Sequence, residues 1–147
     1  MVNFLDKIQS AISSFKNDVP DSLELSSAEE RMLKETCYIG DIEALKAQGT
    51  RFILPTGLII SKYAKLGKNC LLYQNITIGG KDFPKHPGNP DNYPQIGDNA
   101  VIYPGAFIVG PIKIGNNCII GANTVVVSNV PDNSMVSGNP ARIMPRG

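Results

Sequence analysis

The chain of 147 residues contains no tryptophan, and only 7% of its residues are aromatic. Its hydrophobic content is nevertheless 42%, so a core has to be built from aliphatic and small side chains. No apolar stretch is longer than a few residues, which excludes a membrane span, and the N-terminus lacks the pattern of a signal peptide. The length predicts one domain with at most a short appendage.

Histidine and cysteine are also scarce. The chain has one histidine, His86, and three cysteines, Cys37, Cys70 and Cys118. Their spacing matches no metal-ligand pattern, and an odd number of thiols does not make a complete set of disulfides. We therefore expect no metal site and a reducing, cytoplasmic location.

The formal net charge is +1, but it is unevenly distributed. Residues 1–50 carry five basic and nine acidic side chains, whereas residues 51–147 carry nine basic and four acidic ones. The positive part either suits a phosphate-bearing ligand or is a solvated surface with a random imbalance. No basic run is interleaved with aromatic residues, so we predict no nucleic-acid partner.

Residues 1–50 are predicted to form an N-terminal helical segment. Apolar residues recur at helical spacing in Val2, Leu5, Ile8, Ile12 and Phe15. Ser27 and Glu30 form a candidate capping box for a helix through Cys37, and a third short helix is predicted from Ile42 to Gln48. We assign no chemistry to this segment and expect it to cap the rest of the domain or to pack against neighbouring subunits.

From Ile60 onward the sequence repeats with a period of six. Ten positions in this register are aliphatic: Ile60, Leu66, Leu72, Ile78, Ile96, Ile102, Ile108, Ile114, Ile120 and Val126. Four residues after most of them stands a small or β-branched residue, and glycine and asparagine are frequent one and three residues after them. Neither an α-helix nor a plain strand keeps such a period.

A parallel β-helix does satisfy this period, and we assign it to residues 51–147. Each hexad forms a short strand and a turn, and three hexads form a triangular coil that stacks on the next about 4.8 Å away. The aliphatic residue points inward with the small residue beside it, so Cys70 and Cys118 are predicted to fill the core rather than act as nucleophiles. Leu54, six residues before Ile60, is predicted to be buried in the same register. Glycine and asparagine are expected to supply positive φ angles at the corners.

One excursion interrupts the repeat. Residues 79–95 are rich in proline, glycine, asparagine and charge, and they contain His86. The gap from Ile78 to Ile96 is a multiple of six, so the register resumes unchanged. A long loop that leaves a compact repeat is usually functional. After Val130 the hexads fail, and the chain ends in a tail.

Three segments carry a resemblance to a known superfamily. Residues 65–80 and 120–126 resemble the coils of serine acetyltransferases and of related capsule or exopolysaccharide O-acetyltransferases, and residues 130–143 are typical of the hexapeptide-repeat acyltransferase superfamily. The resemblance covers about residues 52–145. It implies a mainly β fold with a left-handed parallel β-helix, a homotrimer, and acetyl-CoA in the cleft between adjacent subunits.

The resemblance also implies binding residues. Gly80, Pro104 and Ala122 correspond to positions that line the pantetheine arm, and Lys81 and Arg142 are candidates for the CoA phosphates. The alternative is that these small residues are only coil corners. No metal ligand is implied.

The catalytic positions of serine acetyltransferases are changed in this chain. Ile53 and Leu54 stand where that family has an Asp-His pair, and Tyr93 stands where it has a second histidine. These differences disfavour serine as the substrate and leave Asn92 and Tyr93 as candidates for binding another acceptor.

His86 is the candidate general base. His86-Pro87 is similar to the His-Pro catalytic motif of galactoside and maltose acetyltransferases. An acceptor hydroxyl attacks a thioester efficiently only when a base removes its proton, and an imidazole with a pKa close to neutral pH suits this role. The alternative is an exposed loop histidine beside a turn proline.

Three functions remain open on the sequence. The first is an acetyl-CoA-dependent acetyltransferase that acts on a hydroxyl or amine of a sugar, a glycan or a small metabolite. The second is a catalytically degenerate trimer with a binding or structural role. The third is a γ-class carbonic anhydrase of the same fold, but this class needs several histidines for zinc and the chain has one.

Overall fold

The computed structural model describes residue 10 and residues 24–81 and 88–146. Two helices, α1 (Ser27–Thr36) and α2 (Ile42–Ala47), precede most of the strands, and a 3-10 turn spans Pro90–Asn92. The fourteen strands of the described ranges are β1 Tyr38–Ile39, β2 Arg51–Phe52, β3 Ile59–Ile60, β4 Lys65–Leu66, β5 Leu71–Leu72, β6 Thr77–Gly79, β7 Gln95–Ile96, β8 Val101–Ile102, β9 Phe107–Val109, β10 Lys113–Ile114, β11 Ile119–Ile120, β12 Val125–Val126, β13 Ser134–Ser137 and β14 Arg142–Pro145.

These strands form the three faces of a left-handed parallel β-helix. Sheet 1 has the order β1-β3-β6-β9-β12, sheet 2 the order β14-β13-β11-β8-β5-β2, and sheet 3 the order β10-β7-β4. The chain runs from sheet 2 to sheet 1, then to sheet 3, and back to sheet 2. We call the turns after sheet 2 strands the 2–1 corner and those after sheet 1 strands the 1–3 corner. All neighbours pair in parallel except β13 and β14, which are antiparallel.

The repeating aliphatic residues fill the prism, as the sequence predicts. Ile102 pairs with Leu72 on one side and with Ile120 on the other, and all three are fully buried. Cys70 and Cys118 also lie in the core with no exposed surface, and burial raises the pKa of both thiols. They are packing residues, because a protonated thiol without solvent access is a poor nucleophile.

The corners use asparagine and glycine differently from the expectation. Left-handed backbone falls on asparagine, as at Asn99 and Asn117, whose side-chain amides form a ladder at 3.1 Å. The glycines that directly follow the aliphatic residues have no positive φ. A Cβ on Gly67 would instead clash with Asp98 of the next coil. Gly67, Gly97 and Gly115 are therefore needed where coils approach closely and not for their backbone angles, whereas Gly79 has open space around it.

The excursion leaves the register of the coils intact. Ile60 pairs with Ile78, eighteen residues later, and Ile78 pairs with Ile108, thirty residues later. The loop thus adds twelve residues to one coil. The loop leaves the prism where β6 of sheet 1 ends and rejoins it where β7 of sheet 3 begins.

Leu54 is not buried, contrary to the prediction. Phe52, and not Leu54, is the inward partner of Leu72, because the first 2–1 corner is two residues longer than the later ones. Leu54 lies in this longer corner with a φ of 50° and 54% of its surface exposed. The hexad count extends correctly only as far back as Ile60.

The N-terminal segment contributes to the sheet as well as to the helices. The capping box is formed by Ser26 and Glu29, one residue earlier than predicted, and α2 ends at Ala47. Between the helices, Tyr38–Ile39 pairs with Ile59–Ile60 and extends sheet 1. The predicted helix of residues 2–15 lies outside the described residues, apart from Ser10. No helix in the described part of the chain is long and apolar enough to cross a membrane.

Candidate active site

Three of the predicted cofactor-binding residues gather along the 2–1 corner. Pro104 and Ala122 lie at the same position in successive coils, and the amide of Asn123 donates a hydrogen bond of 3.0 Å to the carbonyl of Pro104. Arg142 is exposed on β14 and pairs with Ser137 of β13, the strand that stacks on β11 just before Ala122. Ala122 is also exposed, so this corner presents a shallow surface with a guanidinium at one end.

The remaining candidates lie along the 1–3 corner. Gly80 contacts the ring of buried Tyr93, because a Cβ at residue 80 would stand 2.8 Å from Cε1 of that ring. Asn92 closes the 3-10 turn just before Tyr93, and its amide donates to the carbonyl of Asn89 at 3.1 Å. Lys81 is exposed beside Gly110. The structure therefore brings the predicted substrate residues next to Gly80 and Lys81.

The two groups of candidates lie on opposite edges of sheet 1. Each coil crosses from the 2–1 corner to the 1–3 corner along a strand of that sheet, such as β9 or β6. Within one subunit, Pro104 and Ala122 are thus separated from Gly80 and Lys81 by the width of a prism face.

A cavity of about 570 Å³ opens beside Gly80. Gly79, Gly80 and Tyr93 line it together with residues that sequence reasoning missed: Tyr38, Ile59, Lys62 and Tyr63. Tyr63 and Tyr93 are in ring contact with centroids 5.1 Å apart. A signal was present in the hexad after Ile60, where Ser61 and Tyr63 replace the usual glycine and asparagine. No signal was available for Tyr38, since it lies in the segment predicted to be helical.

His86 lies outside the described residues, so its position in this site stays a prediction. The loop is described up to Lys81 and again from Gly88. Gly88, two residues after His86 in the sequence, approaches the hydroxyl of Tyr63, since a Cβ at residue 88 would stand 3.0 Å from that oxygen.

Other groups near the 2–1 corner offer no alternative base. Tyr73 and Tyr103 stack with ring centroids 4.8 Å apart. Burial, together with the nearby Tyr73, raises the pKa of Tyr103 to about 12, so its phenol stays protonated at neutral pH. Ile53 and Leu54 at the start of this corner have no ionisable group.

A larger and shallower concavity of about 880 Å³ runs along sheet 3. It is lined by exposed Lys65, Gln95 and Lys113 and contains none of the candidate residues. In the described ranges no group of three or more histidine, cysteine, aspartate or glutamate side chains could hold a metal ion.

Comparison with known proteins shows which families part of this chain is similar to. The family described as "Bacterial transferase hexapeptide (six repeats)" matches residues 93–128. Serine acetyltransferase of Staphylococcus aureus strain Mu50 is 41% identical over 88 residues, and that of Mycobacterium tuberculosis H37Rv is 37% identical over 89. Both alignments cover 60% of this chain but only 39% and 37% of the relatives.

Solved structures agree with these matches. Neisseria gonorrhoeae serine acetyltransferase superposes with a TM-score of 0.60 at 39% identity, covering 66% of this chain and 37% of that protein. A serine acetyltransferase solved in complex with CoA superposes with a TM-score of 0.57 at 30% identity, covering 65% and 37%. The chain thus spans less than two fifths of the length of these relatives. Residues 93–128 match the hexapeptide-repeat family of bacterial transferases, and the chain has a β-helix similar to that of serine acetyltransferases.

Proposed function

We propose that the protein is an acetyl-CoA-dependent acetyltransferase that transfers the acetyl group to a hydroxyl or amine of a sugar, a glycan or a small metabolite. The observation that carries the proposal is the placement of the candidate residues along two corners of the β-helix. This β-helix is similar to that of serine acetyltransferases, and one of the similar serine acetyltransferase structures is a complex with CoA. Serine is disfavoured as the acceptor, since Ile53 and Leu54 offer no carboxylate or imidazole.

The two corners fit acetyl-CoA. Because Gly80 has no side chain and Ala122 a short one, a thin pantetheine arm can approach the backbone at both corners. A side chain at residue 80 would also collide with Tyr93. Exposed Lys81 and Arg142 provide cations for the phosphates. When bound, acetyl-CoA supplies the activated thioester.

His86 acts as the general base in this proposal. Its imidazole takes the proton of the acceptor hydroxyl while the oxygen forms a bond to the acetyl carbon and the carbon–sulfur bond breaks. The same imidazole returns the proton to the sulfur of the departing thiolate. Asn92 and Tyr93 would hold the acceptor beside the loop that carries His86.

We also propose that the protein works as a homotrimer whose subunits meet at sheet 1. Tyr38, Ile59, Thr77 and Phe107 follow one another on the outer face of this sheet, and its apolar members Tyr38, Ile59 and Phe107 are 65%, 52% and 43% exposed. Leu54 and Val127, at its two edges, are 54% and 64% exposed. Such a largely apolar exposed surface is typical of an interface. The trimer would bring the 2–1 corner of one subunit to the 1–3 corner of the next.

Turnover tests the proposed activity directly. Purified protein is incubated with acetyl-CoA and a panel of serine, sugars and sugar nucleotides, and release of the CoA thiol is followed. We expect release with at least one sugar or sugar derivative and none above background with serine. Binding of acetyl-CoA without release for any acceptor would instead support a degenerate binding protein, the alternative function.

Mixed trimers test whether two subunits share each site. We expect Gly80→Phe and Ala122→Phe to abolish turnover separately, since each blocks one wall of the groove. Co-assembly of the two variants in equal amounts leaves both walls intact at about a quarter of the interfaces, if subunits mix at random in a closed ring. Recovery of about a quarter of wild-type turnover is therefore expected. No recovery from verified mixed trimers would place each site within one subunit.

A further inference from the structure

The cavity beside Gly80 has an unusual balance of charge. Its described lining includes an ammonium group, on Lys62, but no carboxylate. Lys62 is exposed, and within the described ranges the one ion pair joins Lys46 to Glu30, away from this cavity. The remaining lining is aromatic, apolar or hydroxyl-bearing, with Tyr38, Tyr63 and Tyr93 as its aromatic members.

The fold holds Lys62 at this position. The amide of Gly40 donates a hydrogen bond of 2.9 Å to the carbonyl of Ile60, and the amide of Ser61 donates one of the same length to Ile78. Gly40 packs so closely on the backbone of Lys62 that a Cβ at residue 40 would clash with it. Lys62 Nζ lies 5.1 Å from the centroid of the Tyr63 ring. The ammonium is thus presented at an aromatic wall.

Another part of the cavity wall comes from the N-terminal segment. β1 pairs with β3 and places Tyr38 next to Ile59 on the outer face of sheet 1. Both side chains are more than half exposed in the single subunit, and both line the cavity, so in the proposed trimer this cavity lies at the edge of the subunit interface. The segment before residue 51 therefore contributes a flat aromatic surface to this site, in addition to its helices.

We propose that this cavity is the acceptor pocket, and that the acceptor carries a carboxylate or phosphate group bound by Lys62. This inference rests on the proposed acetyltransferase function. An ammonium that has no acidic partner among the described residues attracts an anion, and hydrogen bonds between charged groups are roughly twice as strong as neutral ones. Tyr38 offers a flat aromatic surface on which the apolar face of a sugar ring can pack. Lys62 is thus a residue that determines specificity.

Binding of three related probes to the full chain tests this proposal. Glucose 1-phosphate, glucuronate and glucose are titrated separately by calorimetry in the presence of CoA. We expect the two anionic probes to bind at least about tenfold more tightly than glucose, as one charge-assisted hydrogen bond allows. A phosphate-specific pocket would bind only the first probe in this way, and a carboxylate-specific pocket only the second.

Lys62→Gln is the decisive variant, because it keeps most of the side-chain length and removes the charge. It should bring the affinity for the anionic probes down to that for glucose and leave acetyl-CoA affinity unchanged. Lys65→Gln is the matched control, since Lys65 is an exposed lysine on sheet 3 outside this cavity. It should retain the wild-type preference.

Two results would overturn the acceptor assignment. One is that Lys62→Gln and the wild type do not differ in their preference for the anionic probes, either because both prefer them equally or because neither prefers them. The other is a loss of acetyl-CoA affinity in Lys62→Gln, which would place the phosphates of the cofactor at this residue. A Lys62-dependent preference in a protein that never releases CoA thiol would leave the pocket intact and refute the acetyltransferase function instead.

Discussion

His86→Ala is expected to lower turnover by at least about a hundredfold, the lower end of what a general base contributes. The acceptor hydroxyl would then have to attack the thioester while still carrying its proton. Because a loop side chain supports little packing, the variant should retain the trimer and its affinity for acetyl-CoA. Steady-state thiol release with the best acceptor measures the first effect, and light scattering and calorimetry measure the other two.

Two controls distinguish a base from a residue that merely shapes the loop. Asp91→Ala removes an exposed side chain from the same loop and should keep wild-type turnover. Added imidazole should restore part of the activity of His86→Ala, since a free base can enter the space left by the side chain. Full activity of His86→Ala would refute the assignment, and the site would then work by positioning alone.

Ile102→Ala is expected to lower the free energy of unfolding by about 2–5 kcal/mol. Ile102 is fully buried at the centre of sheet 2, between Leu72 and Ile120 in the coils on either side. The substitution removes apolar contacts and leaves a cavity that flat, stacked coils cannot easily close. Denaturant unfolding at one fixed protein concentration measures the effect, because assembly contributes to the stability of an oligomer.

Ile143→Ala provides the matched control. The same atoms are removed from a side chain that is 40% exposed on β14, at the end of the prism. We expect a loss of less than about 1 kcal/mol, since exposed substitutions away from special features have small effects. Equal losses for the two variants would contradict the inward register of the hexad.

The six-residue period by itself determined the fold of residues 60–130. A β-helix repeats the same environment in every coil, so each inward position demands an aliphatic residue at the same spacing. For this reason the sequence alone predicted the buried positions of Ile60 to Val126, the core role of Cys70 and Cys118, and the unchanged register across the loop. Gly80 and Ala122 were proposed from the family resemblance and not from the period, and their role stays a prediction.

Other features depend on contacts that have no period. The first corner is two residues longer than the rest, so Phe52 is buried and Leu54 is exposed. Tyr38 joins sheet 1 because β3 would otherwise be an unpaired edge, which local helical signals do not reveal. The separation of the candidate residues onto two corners follows from how three hexads close into a triangle. Sequence spacing specifies a position within a coil, and only the tertiary structure decides which positions of different coils and segments face the same cavity.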